Sequence, residues 1–166
     1  MGITDTLRAA GFKPEVSTDG EREILVGQYK TKWATIRKEA EDSGREYLQS
    51  EWKVIEVIDG TFAGNSKFPE FRRRYYLDDE RDVKRLCNDA FTVGVSLDIS
   101  SDEALVASTP QLIDKVTYIR GWKGTPDKDR AGNVIPEEER RSFQNFVIRA
   151  EKNAKPRKAK AGAVPF

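Results

Sequence analysis

The stretch FRRRYYLDDERDVKRLCNDAF, residues 71–91, changes its hydrophobic period halfway along and thereby indicates the fold. Up to Leu77 the two-residue period of a strand places Phe71, Arg73, Tyr75 and Leu77 on one face and Arg72, Arg74 and Tyr76 on the other. Beyond it the apolar residues recur at helical spacing, at Val83, Leu86, Cys87, Ala90 and Phe91. Asp78 or Asp79 precedes them as a candidate N-cap. The segment therefore predicts a strand followed directly by an amphipathic helix.

Two strands precede this segment and form a predicted hairpin with each other. In residues 21–38 one face carries aromatic and apolar side chains, whereas the other carries lysines. Residues 45–58 repeat this alternation, and residues 42–44 supply the turn between the two strands. Because Trp33 and Trp52 fall on the apolar faces, we assign both to the core.

The remaining elements complete a five-stranded arrangement. A short helix is predicted at residues 4–10, and further helical turns follow residue 100. Residues 115–124 and 141–152 return to strand composition on either side of a polar loop. Three strands, a helical segment and two more strands are the order of elements in an OB-type barrel. We therefore predict a mainly β fold, a five-stranded OB-fold-like barrel with a helical insert between the third and fourth strands.

The charge distribution separates the C-terminus from the rest of the chain. The net charge is only +1, but residues 151–166 carry five basic residues against Glu151 alone, a net +4 that leaves −3 on the other 150 residues. This segment is rich in Ala, Pro and Lys without periodicity, which predicts a flexible basic tail that attracts polyanions. We divide the chain into an N-terminal helical extension (1–20), an OB-fold-like domain (21–152) and the tail (153–166).

The composition excludes most enzymatic chemistry. The chain has no histidine and a single cysteine, Cys87, so His-dependent nucleophile pairs, imidazole-ligated zinc and an internal disulfide are all excluded. The acidic cluster at residues 78–82 is explained by helix capping, and a calcium-like loop at residues 127–138 lacks oxygen ligands at two positions. No apolar run approaches the length of a membrane span. We therefore predict a cytoplasmic protein that is not an enzyme, binds no cofactor or metal and contacts no membrane.

The polar face of the predicted sheet combines cations with aromatic rings. That combination is typical of surfaces that bind single-stranded nucleic acid, where cations pair with phosphates and rings stack on bases. We expect Arg72, Arg74 and the lysines at the phosphates, and Tyr47, Tyr76 and Trp122 at the bases. The complete candidate set is Lys30, Lys32, Tyr47, Lys53, Arg72, Arg74, Tyr76, Tyr118, Arg120, and Trp122 or Lys123.

Residues 24–64 also resemble a known family. VGQYKTKW followed by SGREYLQSEWKVIEVIDGTFAG is similar to bacteriophage replication and recombination proteins that are themselves similar to single-stranded-DNA-binding proteins. The shared pattern consists of Gly27, Tyr29, Gly44, Tyr47, Leu48, Asp59, Gly60 and Gly64. The resemblance implies an OB-like fold and binding of single-stranded DNA during phage replication, recombination or repair. It covers the first hairpin well and the remainder of the chain only by its layout.

The extreme C-terminus and the aromatic face both leave room for protein partners. Val164, Pro165 and Phe166 resemble the tip with which bacterial single-stranded-DNA-binding proteins recruit replication and repair enzymes, although basic residues replace the acidic ones that normally precede it. Aromatic residues and Arg are also enriched at protein interfaces, so the same face could form a homo-oligomer. The alternative function is a phage-encoded β-barrel adaptor that binds a host or phage protein without nucleic acid.

Overall fold

The computed structural model describes residues 2–16, 27–59, 70–124, 127–129, 131–140 and 143–149. These residues form a mainly β structure, a curled antiparallel sheet of five strands with three α-helices, consistent with an OB-like barrel. The strands are β1 (Gln28–Ala40), β2 (Glu46–Asp59), β3 (Glu70–Tyr76), β4 (Val116–Gly124) and β5 (Phe143–Arg149). The helices are α1 (Ile3–Ala9), α2 (Glu80–Thr92) and α3 (Asp102–Ser108), and short 3₁₀ turns follow at Thr109–Leu112 and Glu137–Glu139. The predicted order of strands and helical insert is confirmed.

The sheet has the strand order β3-β2-β1-β4-β5 and curls until its two outer strands approach each other. Phe71 on β3 and Phe146 on β5 pack with ring centroids 5.0 Å apart. Curvature is favoured by irregular pairing along β1, where the register with β2 shifts three times, including between Trp33 and Thr35. The result is a half-barrel whose concave face encloses the core.

The core lies on this concave face, and the two predicted tryptophans are at its centre. Trp33 and Trp52 are fully buried, and their ring centroids lie 4.6 Å apart. Leu7 of α1 is also fully buried in the same cluster, so the N-terminal helix packs against the sheet's core. The described residues contain no helix with the length and apolarity that a membrane span requires.

Helix α2 lies next to β3 along the chain and packs across the core. Asp79 is its N-cap, and its side chain accepts hydrogen bonds from the backbone N–H groups of Arg81 and Asp82. Cys87 is buried as predicted. The prediction that Phe91 joins the apolar stripe is wrong, since this side chain is 41% exposed. Phe91 follows Val83 by eight residues, so its side chain points about 80° away from that of Val83 around the helix axis. This places Phe91 at the edge of the apolar stripe.

A buried polar cluster, Arg73, Asp89 and Tyr75, joins β3 to α2 and β5. The Arg73 guanidinium donates to Asp89 Oδ2 at 3.0 Å and to the Phe146 carbonyl at 2.7 Å. The Tyr75 hydroxyl donates to the same Asp89 oxygen at 2.6 Å. Burial raises the pKa of Tyr75 well above its ordinary value, and the negative charge of Asp89 adds to this effect. The cluster, called the clasp below, thus connects the two outer strands where the sheet curls.

Candidate nucleic-acid interface

The convex face of the sheet carries the side chains that alternate with those of the core. Strand register brings candidates from different strands side by side, with Lys32 opposite Lys53 and Lys30 opposite Tyr118. The candidates on this face are Lys30, Lys32, Tyr47, Lys53, Arg72, Arg74, Tyr76, Tyr118 and Arg120. Trp122 and Lys123 lie within β4, opposite Asn145 and Gln144, but their side chains are outside the described part of the structure. Val164, Pro165 and Phe166 also lie outside the described residues.

One end of this face is a closed stack of two arginines and two tyrosines. The Arg45 guanidinium lies 3.8 Å from the centroid of Tyr76, whose ring packs 5.6 Å from that of Tyr47. The Arg74 guanidinium lies 4.4 Å from the centroid of Tyr47. Each ring therefore has one guanidinium over it and lies tilted by 55° against the other ring, and we call these four residues the Arg–Tyr stack. Such cation–π contacts are favourable by about 0.5–1 kcal/mol at exposed sites.

Carboxylates hold the Arg–Tyr stack in place. The Tyr47 hydroxyl donates to Glu39 at 3.3 Å, and the Tyr76 hydroxyl donates to Glu41 at 2.5 Å. Tyr47 is only 6% exposed, and burial raises its pKa despite the opposing effect of Arg74. The ring face that a guanidinium covers can take a base only after that guanidinium has moved away. The two predicted stacking rings thus each already have a cation–π partner within the protein.

Three lysines, Lys30, Lys32 and Lys53, form a row on the central strands β1 and β2. Lys32 and Lys53 face each other directly across the antiparallel pair. Lys32 is paired with Asp114, whose Oδ1 lies 3.0 Å from Nζ. Among the described residues, neither Lys30 nor Lys53 forms an ion pair, although Glu56 lies opposite Lys30 in the register. Within this lysine row, Lys30 and Lys53 therefore carry positive charge that is not paired with a carboxylate of the described residues.

Tyr118 lies beside the lysine row and differs from the other two tyrosines of this face. It is opposite Lys30 on β4, and its side chain is half-buried. In the part of the chain that the structure describes, no second ring and no guanidinium covers its ring. Among the tyrosines of this face in the described residues, Tyr118 is thus the one whose ring has no aromatic or guanidinium partner.

The remaining arginines extend the positive charge toward both edges of the sheet. Arg72 on β3 is well exposed, and its Nε lies 3.8 Å from a Glu51 oxygen. Arg120 on β4 and Arg149 on β5 lie near Tyr118 in the register. Partial burial lowers the pKa of Arg149. The sequence reasoning omitted Arg149, but its alternation with the buried Phe146 and Ile148 could have placed it on this face.

No alternative chemical site competes with the convex face in the described residues. They contain no group of three or more His, Cys, Asp or Glu side chains placed to hold a metal ion. In the calcium-like loop, Asp129 Oδ1 instead accepts backbone hydrogen bonds from Ala131 and Asn133, both at 2.9 Å. A cleft of about 630 Å³ lies between the β1–β2 turn and α3, but Arg45 and Asp78, which line it, pair with each other.

Comparison with known proteins adds no assignment. No family model matches the chain, and no curated protein matches it significantly.

Proposed function

We propose that the protein binds single-stranded DNA on its convex face, largely without regard to sequence, and acts in phage DNA replication, recombination or repair. The observation that carries this proposal is the direct opposition of Lys32 and Lys53 on the two central strands. Like charges directly opposite each other destabilise a sheet unless something neutralises them. Asp114 neutralises Lys32 within the protein, whereas Lys53 has no carboxylate partner among the described residues. A phosphate backbone would neutralise Lys53, with release of the counterions that it had condensed.

The fold and the resemblance support the same function. A strongly curled five-stranded sheet with a helix between the third and fourth strands is the arrangement of an OB-fold, which commonly binds oligonucleotides. The resemblance of residues 24–64 to phage replication proteins adds the biological setting. Non-enzymatic binding is consistent with the absence of histidine from the chain.

In the mechanism that we propose, the lysine row pairs with phosphates and Tyr118 stacks on a base. Arg72, exposed at the edge, extends the phosphate path toward β3. Tyr47, Tyr76 and Arg74 instead stabilise the far end of the face through the cation–π contacts of the Arg–Tyr stack. This arrangement transfers the stacking role expected of Tyr47 and Tyr76 to Tyr118, while Trp122 retains it as a hypothesis.

The test is fluorescence anisotropy of a labelled thymine-only oligonucleotide, against a duplex of equal length, across a salt series. Each phosphate contact on a single strand contributes about −0.7 to the slope of log affinity against log salt. The double variant Lys30→Ala with Lys53→Ala removes two such contacts and should make the slope shallower by about 1.4. Tyr118→Ala should lower affinity by about 1–3 kcal/mol without changing the slope.

The matched control is the double variant Lys84→Ala with Arg85→Ala on α2, which removes two positive charges away from the convex face. It should bind nearly as well as the wild type. Equal losses from both double variants would mean that only net charge matters, and the site would be wrong. Absence of binding to the single strand at low salt would refute the function itself.

The adaptor function remains the second candidate, and the Arg–Tyr stack favours it. Tyrosine and arginine dominate the energetic centres of protein interfaces, and here they are pre-assembled with Glu39 and Glu41. A protein partner would be captured with little salt dependence if apolar and aromatic contacts dominate. Loss of that capture in Tyr76→Ala, with no binding of oligonucleotide by the wild type, would favour the adaptor.

A further inference from the structure

Asp114 is the residue of the convex face whose backbone conformation is unusual. Its φ is 72°, and it is the one non-glycine residue with a positive φ among the residues that the structure describes. L-residues adopt this left-handed conformation at a cost, although Asp and Asn tolerate it better than most. Backbone strain of this kind persists where the surrounding structure imposes it, and it is often associated with function.

Two backbone hydrogen bonds fix Asp114 next to the lysine row. Its N–H donates to the Trp33 carbonyl at 2.9 Å, and the Trp33 N–H donates to the Lys115 carbonyl at 2.9 Å. Trp33 is fully buried and directly follows Lys32, so the loop is attached to the strand at this point. The Asp114 carboxylate thereby reaches Lys32 Nζ at 3.0 Å.

The ion pair itself gives the fold little stability. The side chains of Lys32 and Asp114 are 48% and 70% exposed, and pairs exposed to this extent contribute little because water screens them. The left-handed backbone of Asp114 is therefore not explained by the stability that the pair provides. Its clear consequence is local, because it cancels the charge of one lysine directly opposite Lys53.

We propose that Asp114 is an internal competitor of the DNA phosphate, a residue that weakens and tunes binding at Lys32. This inference rests on the proposed function. A phosphate that takes the place of the Asp114 carboxylate at Lys32 Nζ leaves that carboxylate to recover a cation from solution. The net number of ions released on binding is then lower than the lysine row alone would give.

The experiment compares wild type, Asp114→Asn, Lys32→Ala and the double variant in the same anisotropy titrations. Asparagine tolerates the left-handed conformation, so Asp114→Asn should melt at nearly the wild-type temperature. It should bind the single strand about 2- to 5-fold more tightly at low salt, because the phosphate then no longer competes with an exposed ion pair at Lys32. Its salt slope should be steeper by about 0.7.

Two comparisons make the result specific to Lys32. The gain in affinity from Asp114→Asn should vanish in the Lys32→Ala background, because Asp114 and the phosphate then have no lysine to compete for. The control Glu56→Gln changes net charge equally on the same face but breaks no ion pair of the described residues and leaves Lys32 paired, so its gain should be smaller. A gain that persists without Lys32 overturns the inference, as does an unchanged affinity in Asp114→Asn when the wild type binds. Failure of every protein to bind the single strand overturns both this inference and the proposed function.

Discussion

Replacement of Asp89 by alanine should be among the most destabilising single substitutions in the described structure. Its carboxylate accepts hydrogen bonds from Arg73 at 3.0 Å and from Tyr75 at 2.6 Å, and it is 2% exposed while Arg73 is 13% exposed. Removal of one partner from a buried ion pair costs about 3–5 kcal/mol, because the other charge stays buried without compensation. A domain of ordinary stability has about 5–15 kcal/mol in total. Asp89→Ala should therefore remove about a fifth or more of the stability.

Urea unfolding followed by tryptophan fluorescence measures this loss, because Trp33 and Trp52 are fully buried in the folded state. Tyr75→Phe removes one donor and keeps the ion pair, so it should cost about 1.5–3 kcal/mol. The control Lys84→Ala, on the same helix as Asp89, removes an exposed i,i+4 pair with Glu80 and should cost about 0.3–0.5 kcal/mol. If Asp89→Ala were no worse than Lys84→Ala, the clasp would not hold β3 to β5. Asp89→Asn provides the same comparison if the alanine variant does not fold.

Two further predictions concern stability. Burial raises the pKa of the Cys87 thiol from 9.0 to about 12, so the folded state keeps its proton where the unfolded state loses it. The contribution of the buried thiol to the free energy of unfolding is complete below pH 9.0 and is lost as pH rises toward about 12. Wild type should therefore lose about 1.4 kcal/mol per pH unit relative to Cys87→Ala in urea titrations above that lower value, and parallel curves would contradict this. Gly27 has a φ of 92°, and a Cβ there would lie 2.8 Å from the Gly121 carbonyl oxygen. Gly27→Ala should lower the free energy of unfolding by at least about 1–2 kcal/mol, and an unchanged urea midpoint would show that the backbone relaxes.

Residues with regular alternation could be assigned to a face from the sequence, whereas those near a bulge could not. Arg72, Arg74 and Tyr76 fall on the convex face as their alternation predicts, because β3 pairs with β2 in an unbroken register. Along β1 the alternation that begins at Lys30 and Lys32 is interrupted. The register shift between Trp33 and Thr35 reverses the faces beyond it.

That single shift explains why sequence reasoning missed the acidic half of the site. Without it, Glu39 would point to the same side as Trp33, toward the core. With it, Glu39 reaches the Tyr47 hydroxyl across the strand pair. Alternation along the sequence therefore could not predict that these carboxylates contact the Arg–Tyr stack, because a bulge has no reliable signature in one sequence.

The sequence by itself determined the order of strands and helices, the buried tryptophans and the presence of cations and rings on one face, because each depends on local periodicity. Only the tertiary structure decided which of those groups remain available to a ligand. Tyr76 is covered by Arg45 from a turn 31 positions earlier, and Lys32 is neutralised by Asp114, 82 positions later. Such pairings depend on how the sheet curls and where its loops are attached, and neither is encoded in the alternation of neighbouring residues.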